Sequence, residues 1–545
     1  MSPMKTKKES LDKIVSLAFK KIVSQTNGIE LNDTLELLLR EPLLLENPKG
    51  LKQLQEFIRL LWGYHQDEVN IKTLIDHSFS DAMISFFKHF PLKYREEHIH
   101  LTGSLSAEFI YPRLMVQIDG PNGAEIQKII CNVYGPTAWP ITSVQDVDKL
   151  IRLSEEDLFD RYLQILTLAK FILVDKQAHI DAAYHLASEL YLKYNVGNIR
   201  LKFTYSRVTQ MENENIPGVG GMSSEDVVLG LYEGMIRFKK EYPDFNFILS
   251  PSFRKENNFY DSKNFPNKEE HFNNQVDSLI KLLQDHPYLK SYLTDVDTVG
   301  DEKELFRKGH FQTMRSGLRL LQSHGIQICS HHGETWNNLA QGIQAVDNAL
   351  NIWKIDHLEH GLSLGINPNY YYHTLFQHIL ELNALNLSFK PNSRQFNELL
   401  HLQWKNDSPI LDKLLQGTPL TQKEIKIFSQ IKSFSAMEVE SYQHDVLNRL
   451  IDKKMALTSL PSSNKKLTDF FPDHKDHPFS WWEKKGMGLR LGTDNYITLN
   501  TNYLQEMLIL LFSDPYDLKI TKLLMICTGE SRRPLLNRLI NSSVD

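Results

Sequence analysis

Glu97-His98-Ile99-His100-Leu101-Thr102-Gly103 reads as a short strand running into a turn. On a strand, residues i and i+2 share a face, so the imidazoles of His98 and His100 can reach one metal ion. Alone, a His-X-His pair reads equally well as two solvent-facing histidines. Its weight comes from the rest of the chain. Seven further apolar, β-branched runs end in polar or glycine-containing turns: 199–207, 245–253, 289–300, 325–334, 355–361, 455–464 and 489–495. Helical periodicity lies between them, at 157–194, 223–241, 271–286, 303–324, 336–350 and 501–513. Strands alternating with helices predict a parallel sheet, and eight such units predict an α/β fold of the (β/α)8 TIM-barrel type.

In such a barrel the C-terminal strand ends converge on one mouth. The polar clusters fall there. Ser330-His331-His332-Gly333-Glu334 ends the fifth strand, His357-Leu358-Glu359-His360-Gly361 the sixth, and Leu491-Gly492-Thr493-Asp494-Asn495 the eighth. Three histidines and an aspartate are suitable zinc ligands. Each cluster taken singly reads as a cap or a turn. Four of them at strand ends, in barrel order, point to a site.

The remaining sequence frames that barrel. Residues 1–95 predict a helical extension, 96–364 the first part of the barrel, 365–453 a helical insertion between strands 6 and 7, and 454–545 the last part with C-terminal helices. The insertion predicts helices at 370–387, 395–403, 421–433 and 436–453. The polar segment 254–270 predicts a βα loop. Across 545 residues, 41% hydrophobic and 23% charged residues give ample material for a core. A net charge of -6 argues against a dedicated nucleic-acid binder. Cys131, Cys329 and Cys527 lie far apart, which implies neither a disulfide framework nor a thiolate zinc site. The longest apolar run, 507–512, is far below the roughly 20 residues of a membrane span, and no apolar leader follows the basic start. A soluble cytoplasmic protein is expected.

Six motifs in order resemble the adenosine deaminase family of zinc hydrolases. The family's HxHLDGS is matched by 98–104 (HIHLTGS), its DLAGDE by 297–302 (DTVGDE) and its HAGE by 331–334 (HHGE). Its GHG is matched by 359–361 (EHG), its CPTSN by 460–464 (LPSSN) and its NTDDP by 492–496 (GTDNY). The resemblance covers about residues 96–515 apart from the insertion. It implies one Zn2+ per subunit, with His98, His100, His331 and Asp494 as ligands. Glu334 would be the proton shuttle, and His360 would orient and stabilise the zinc-bound hydroxide. The backbone of Gly300 would contact the purine edge. His332 competes with His331 for the ligand role, and the three-residue step to Glu334 favours His331. The implied reaction is hydrolytic deamination of a small-molecule purine at C6 with release of ammonia.

Two departures bear on the substrate. Thr102 replaces an aspartate that in nucleoside deaminases contacts the ribose 5′-hydroxyl. Without that anion, a 5′-phosphate is no longer repelled, which favours ATP or dATP over adenosine. Asn495 replaces the aspartate that recognises purine N7, and its amide can donate to the same atom. Arg254, Lys255, Lys390 and Arg394 are candidates to meet a polyphosphate. The elaborated barrel is similar in architecture to deaminase subunits of RADAR-type anti-phage systems, which implies a homo-oligomer and a partner defence protein. The alternatives are an adenosine or deoxyadenosine deaminase of purine salvage, an enzyme acting on free adenine or an N6-substituted AMP, and a non-catalytic nucleotide-binding scaffold.

Overall fold

The computed structural model describes residues 11–25, 29–154, 159–205, 216–219, 222–404, 407–468 and 470–541. All eight expected strands are present: β1 (Tyr94–His100), β2 (Val196–Thr204), β3 (Asn246–Arg254), β4 (Asp295–Val299), β5 (Gln327–His332), β6 (His357–His360), β7 (Ala456–Ser459) and β8 (Gly488–Leu491). They form one sheet in chain order, and each neighbouring pair is parallel. The sheet closes where Ile99 of β1 bridges Asp494, just past β8. There the Asp494 N–H donates to the His98 carbonyl at 2.9 Å and the His100 N–H to the Asp494 carbonyl at 3.0 Å. This closure seats Asp494 beside both histidines of β1.

Alternation along the strands divides the side chains. Ile99, Leu201, Leu249, Ile328, Leu358 and Leu457 are fully buried. Helices Ser224–Glu241, Lys268–Asp285, Lys308–Ser323 and Leu339–Asn348 follow β2 to β5 as the periodicity predicts. The N-terminal helices share the barrel's apolar core, with Phe57 against Phe512 at a ring-centroid distance of 5.4 Å. No described helix is long and apolar enough to cross a membrane.

The structure differs from the sequence reading in three places. The helix expected at 157–194 is broken into Phe159–Ile165, Thr167–Lys170 and Lys176–Tyr194. Asp175 ends the irregular stretch by capping the last of these, accepting from the Ala178 N–H at 2.7 Å. Residues 157 and 158, like the expected strand end at 206 and 207, lie outside the described residues. Three helices between β1 and that segment, Ala107–Ile118, Gly123–Tyr134 and Val144–Ile151, were not anticipated. In the insertion, the two helices expected at 421–433 and 436–453 are one continuous helix, Gln422–Asp452. The serines at the expected gap are both satisfied: Ser433 Oγ donates to the Ser429 carbonyl within the helix at 3.0 Å, and Ser435 Oγ accepts from the Gln403 N–H outside it at 3.1 Å. An unanticipated helix, Ser408–Leu415, precedes it.

The insertion braces loops that carry polar motifs. Gln443 Nε2 donates to the Ser363 and Ile366 carbonyls after β6, at 2.7 and 2.8 Å. Glu398 Oε1 accepts from the Leu339 N–H after β5 at 2.8 Å and from the Tyr371 hydroxyl at 2.6 Å.

Candidate metal centre and active site

Three imidazoles meet at the mouth of the barrel. Nε2 of His100 lies 3.1 Å from Nε2 of His98 and 3.3 Å from Nε2 of His331. Three donor nitrogens this close repel one another unless something positive lies between them, and their donor atoms form a group that could hold a metal ion. The outer nitrogens support that reading. His98 Nδ1 is 2.8 Å from Glu359 Oε2, and His331 Nδ1 is 3.1 Å from Asp297 Oδ1. An ionised carboxylate only accepts, so each Nδ1 carries the proton and each Nε2 presents a lone pair to the centre. Burial holds the pKa of His98 and His331 well below the usual value and lowers that of His100 to about 3. All three are therefore neutral, as ligation requires.

The two carboxylates are themselves braced. Lys202, fully buried on β2, lies 3.0 Å from Asp297 Oδ2 and 3.2 Å from Glu359 Oε1. Burial pushes the carboxyl of Glu359 up, yet Lys202 and its neighbours hold it down at about 2. For Asp297 burial wins, and its pKa rises to about 6. One layer deeper the pattern repeats, with Arg200 of β2 between Glu97 and Asp295. The positions carrying these charges alternate along β2 and β4, so they project into the barrel where apolar layers are usual.

Asp494 completes the rim. Its Oδ1 is 3.6 Å from His100 Nε2, and its Oδ2 accepts from Ser463 Oγ at 2.6 Å. Burial raises its pKa to about 6. Both Asp494 (φ 60°) and His360 (φ 64°) sit in the left-handed region that non-glycine residues seldom adopt. Such conformations persist where the surroundings over-determine them, and they concentrate at functional sites.

Glu334 and His360 face each other, with Glu334 Oε1 3.8 Å from His360 Nε2. Burial, with Asp494 and Glu302 nearby, pushes the Glu334 carboxyl well above the carboxylate range. Its loop is held by Glu302, whose carboxylate accepts from the N–H groups of Gly333, Glu334 and Thr335. Gly333 has φ 70°, and a Cβ there would lie 2.5 Å from Ser363 Oγ, so only glycine lets this turn close.

The cavity in front of these groups is lined by Thr102, Gly300, Asn495, Tyr162, Lys170 and Arg254, among others. Gly300 has φ 110°, and a Cβ there would collide with the Glu256 carboxylate. Asn495 Nδ2 donates to Asp494 Oδ1 at 3.0 Å and to the hydroxyl of Tyr162. The structure thus brings together all nine residues singled out from the sequence. His332 points elsewhere: its ring stacks on Phe311, and its Nδ1 lies 2.7 Å from Ser330 Oγ. Of the four basic candidates, only Arg254 is among the described residues lining the cavity. Lys255 turns inward, donating to the His331 carbonyl. Arg394 lies over the rings of Tyr371 and Phe470 in and near the insertion.

Sequence reasoning gave no role to the supporting residues, although Asp297, Glu359, Ser463 and Asn464 lie within the quoted motifs. Lys202, Asp297, Glu359, Tyr162, Ser463 and Asn464 all touch a singled-out side chain or its partner. Lys202 carries a readable signal, because it and Arg200 are two cations at i and i+2 among the apolar residues of β2. Tyr162 carries none.

No family model and no curated protein matches the chain. Solved structures do resemble it. An amidohydrolase from Burkholderia ambifaria with bound zinc is 12% identical, with 84% of this chain and 93% of that one covered and a TM-score of 0.47. The N6-methyl-AMP deaminase of Arabidopsis thaliana, in its apo form, is 13% identical over 83% and 97%, with a TM-score of 0.46. The Arabidopsis ADAL protein complexed with IMP is 14% identical over 83% and 92%, with a TM-score of 0.43.

Proposed function

We propose that this chain is a zinc-dependent hydrolase that deaminates the purine ring of a 5′-phosphorylated adenine nucleotide. One observation carries the reading: three Nε2 lone pairs converge, with Asp494, Glu334 and His360 around the same point. Four of the six motifs resembling adenosine deaminases, 98–104, 331–334, 359–361 and 492–496, supply these residues. His98, His100, His331 and Asp494 would hold the ion. The donor set fits zinc, being three neutral imidazoles and one carboxylate, with the outer nitrogens of His98 and His331 fixed by carboxylates. When bound, zinc lowers the pKa of a coordinated water towards about 7 and so supplies a nucleophile at neutral pH.

The protein's own groups do the rest. Glu334, kept protonated by burial, delivers a proton to a ring nitrogen as C6 is attacked, collects one from the attacking water and passes it to the exocyclic nitrogen, whose bond to C6 breaks to release ammonia. Nε2 of His360 faces the same space and orients the oxygen that adds to C6. Asn495 and the Gly300 backbone grip the purine edge. Thr102 leaves room for phosphate, and Lys170 and Arg254 line the same cavity. ATP and dATP are the substrates we assign, with nucleotide-pool editing as the setting.

The test is ammonia release from adenosine, deoxyadenosine, AMP, ATP and dATP by zinc-loaded protein, with Glu334→Ala as the blank. Turnover of nucleotides and not nucleosides is expected. Turnover of adenosine alone would make this a salvage enzyme, and bound zinc with no turnover of any substrate would leave a scaffold. A defence role and assembly into a homo-oligomer go with this reading. The first is checked by plating phage on cells carrying the wild-type chain or Glu334→Ala, the second by light scattering.

A further inference from the structure

A chain of hydrogen bonds approaches His360 from the side away from the cavity, and its direction can be read from one end. The Phe479 backbone N–H, which can only donate, points at His477 Nδ1 at 3.2 Å. That nitrogen must therefore accept, and in a neutral ring the proton sits on Nε2. Burial holds the pKa of His477 down at about 3, so the ring is neutral. Its Nε2–H faces the side-chain amide of Asn464 at 3.3 Å, which must present its oxygen. The amide nitrogen then faces His360 Nδ1, 3.1 Å away, and donates to it. A flipped amide would set two donors against each other at His477. With Nδ1 of His360 accepting, its proton lies on Nε2, a buried atom with no partner among the described residues. All three side chains are buried.

We infer that His477, acting through Asn464, fixes the proton of His360 on Nε2, so that His360 enters the reaction as a hydrogen-bond donor. Both are positioning residues, and the inference rests on the role proposed above for His360. The elements that hold them are separate from those carrying the metal ligands of β1 and β5. Asn464 sits on helix Pro461–Leu467, and His477 caps the approach to helix Phe479–Lys484. Loss of the donor at Nε2 removes the hydrogen bond that orients the attacking oxygen towards C6, while leaving binding of the substrate largely intact.

Asn464→Asp tests it with little change in shape. An ionised carboxylate at 464 accepts from both histidines, which moves the His360 proton to Nδ1 and strips Nε2. In zinc-loaded protein labelled with 15N-histidine, the His360 signals are assigned by their loss in His360→Gln. The wild type is expected to show the Nε2–H tautomer and Asn464→Asp the Nδ1–H tautomer. The kcat is expected to fall about 100-fold or more, with KM within about threefold. A wild-type Nδ1–H tautomer, or an unchanged tautomer in Asn464→Asp, overturns the inference. If Asn464→Asp fails to fold, His477→Phe releases the amide and is expected to show both tautomers; a single unchanged Nε2–H form overturns it. Should no substrate release ammonia from the wild type, the deaminase reading fails, and the tautomer spectra still decide the direction of the chain.

Discussion

The two walls of this site use histidine in opposite ways. On the wall built by β1, β4, β5 and β6, the Nδ1 atoms of His98 and His331 face the carboxylates of Glu359 and Asp297. On the wall built by the segments after β6 and β7, Nδ1 of His360 faces an amide. The first arrangement leaves Nε2 a lone pair, which suits a metal. The second leaves Nε2 a proton, which suits a reacting oxygen. The imidazole is the same in both, and the polarity of one outer hydrogen bond selects its use. The walls also differ in cost. The first needs a buried lysine to keep two carboxylates ionised, whereas the second runs on neutral groups.

The largest expected effect breaks the charged wall. Lys202→Met strands Asp297 and Glu359 in the barrel without their shared cation. Removing one member of a buried ion cluster typically costs about 3–5 kcal/mol. Urea unfolding of the metal-free protein reads this directly; an unchanged midpoint would show that the lysine does not support the carboxylates. Asn464→Ala, on the neutral wall, is expected to cost about 1–3 kcal/mol.

Next comes metal affinity. Glu359→Gln keeps an acceptor for His98 Nδ1–H but removes the charge that makes the ligand more basic. Affinity for zinc is expected to fall about 10- to 100-fold, measured by competition with a chelator. Asn464→Asp, whose partner His360 is not a ligand, is expected to leave that affinity within about threefold. Equal losses in both variants would erase the distinction between the walls.

Thr102→Asp tests the substrate side and predicts a smaller change. A carboxylate about 5 Å from a phosphate costs roughly 3 kcal/mol at an effective dielectric of about 20, and less where water reaches the half-buried position. The ratio of ATP to adenosine turnover is expected to fall about tenfold. A ratio that rises would remove Thr102 as the reason for preferring nucleotides.

The sequence carried the mouth of this barrel far better than its support. Strand ends are short, local and patterned, so His98-Ile99-His100 and the clusters around His331, His360 and Asp494 could be read in order, and all of them converge. Alternation along β5 turns His331 inward beside His100 and His332 out onto Phe311. The braces were hidden because each joins residues far apart in the chain. Lys202 meets Glu359 across 157 positions and Tyr162 meets Asp494 across 332. Local periodicity has no access to such pairings. The continuity of helix Gln422–Asp452 was hidden in the same way: at the expected gap, the Ser435 hydroxyl accepts from the N–H of Gln403, 32 positions away. Lys255 misled because a cation beside a loop reads as exposed, and here it is buried against the carbonyl of His331.

Two carboxylates of the site, Glu359 and Asp494, should also part company with pH. Glu359 is held at about 2, below its usual 4.5, so its contribution to folding is complete above about pH 4.5 and is lost as pH falls towards 2. Asp494 is raised to about 6 from 3.8, because burial without a cation penalises its charge. Its contribution is present below pH 3.8 and is lost as pH rises through about 6 in metal-free protein. Chelator-treated protein is therefore expected to lose stability between pH 4 and 6, the small cost of holding an empty rim ready for ionisation. Asp297, raised likewise to about 6, contributes to the same decline. Asp494→Asn should make it shallower, and zinc should oppose the share of Asp494, because the carboxylate must ionise to ligate and binding then releases its proton. Urea midpoints at half-unit pH steps make the comparison. A decline that persists unaltered in Asp494→Asn would place the titrating group elsewhere, at Asp297 first.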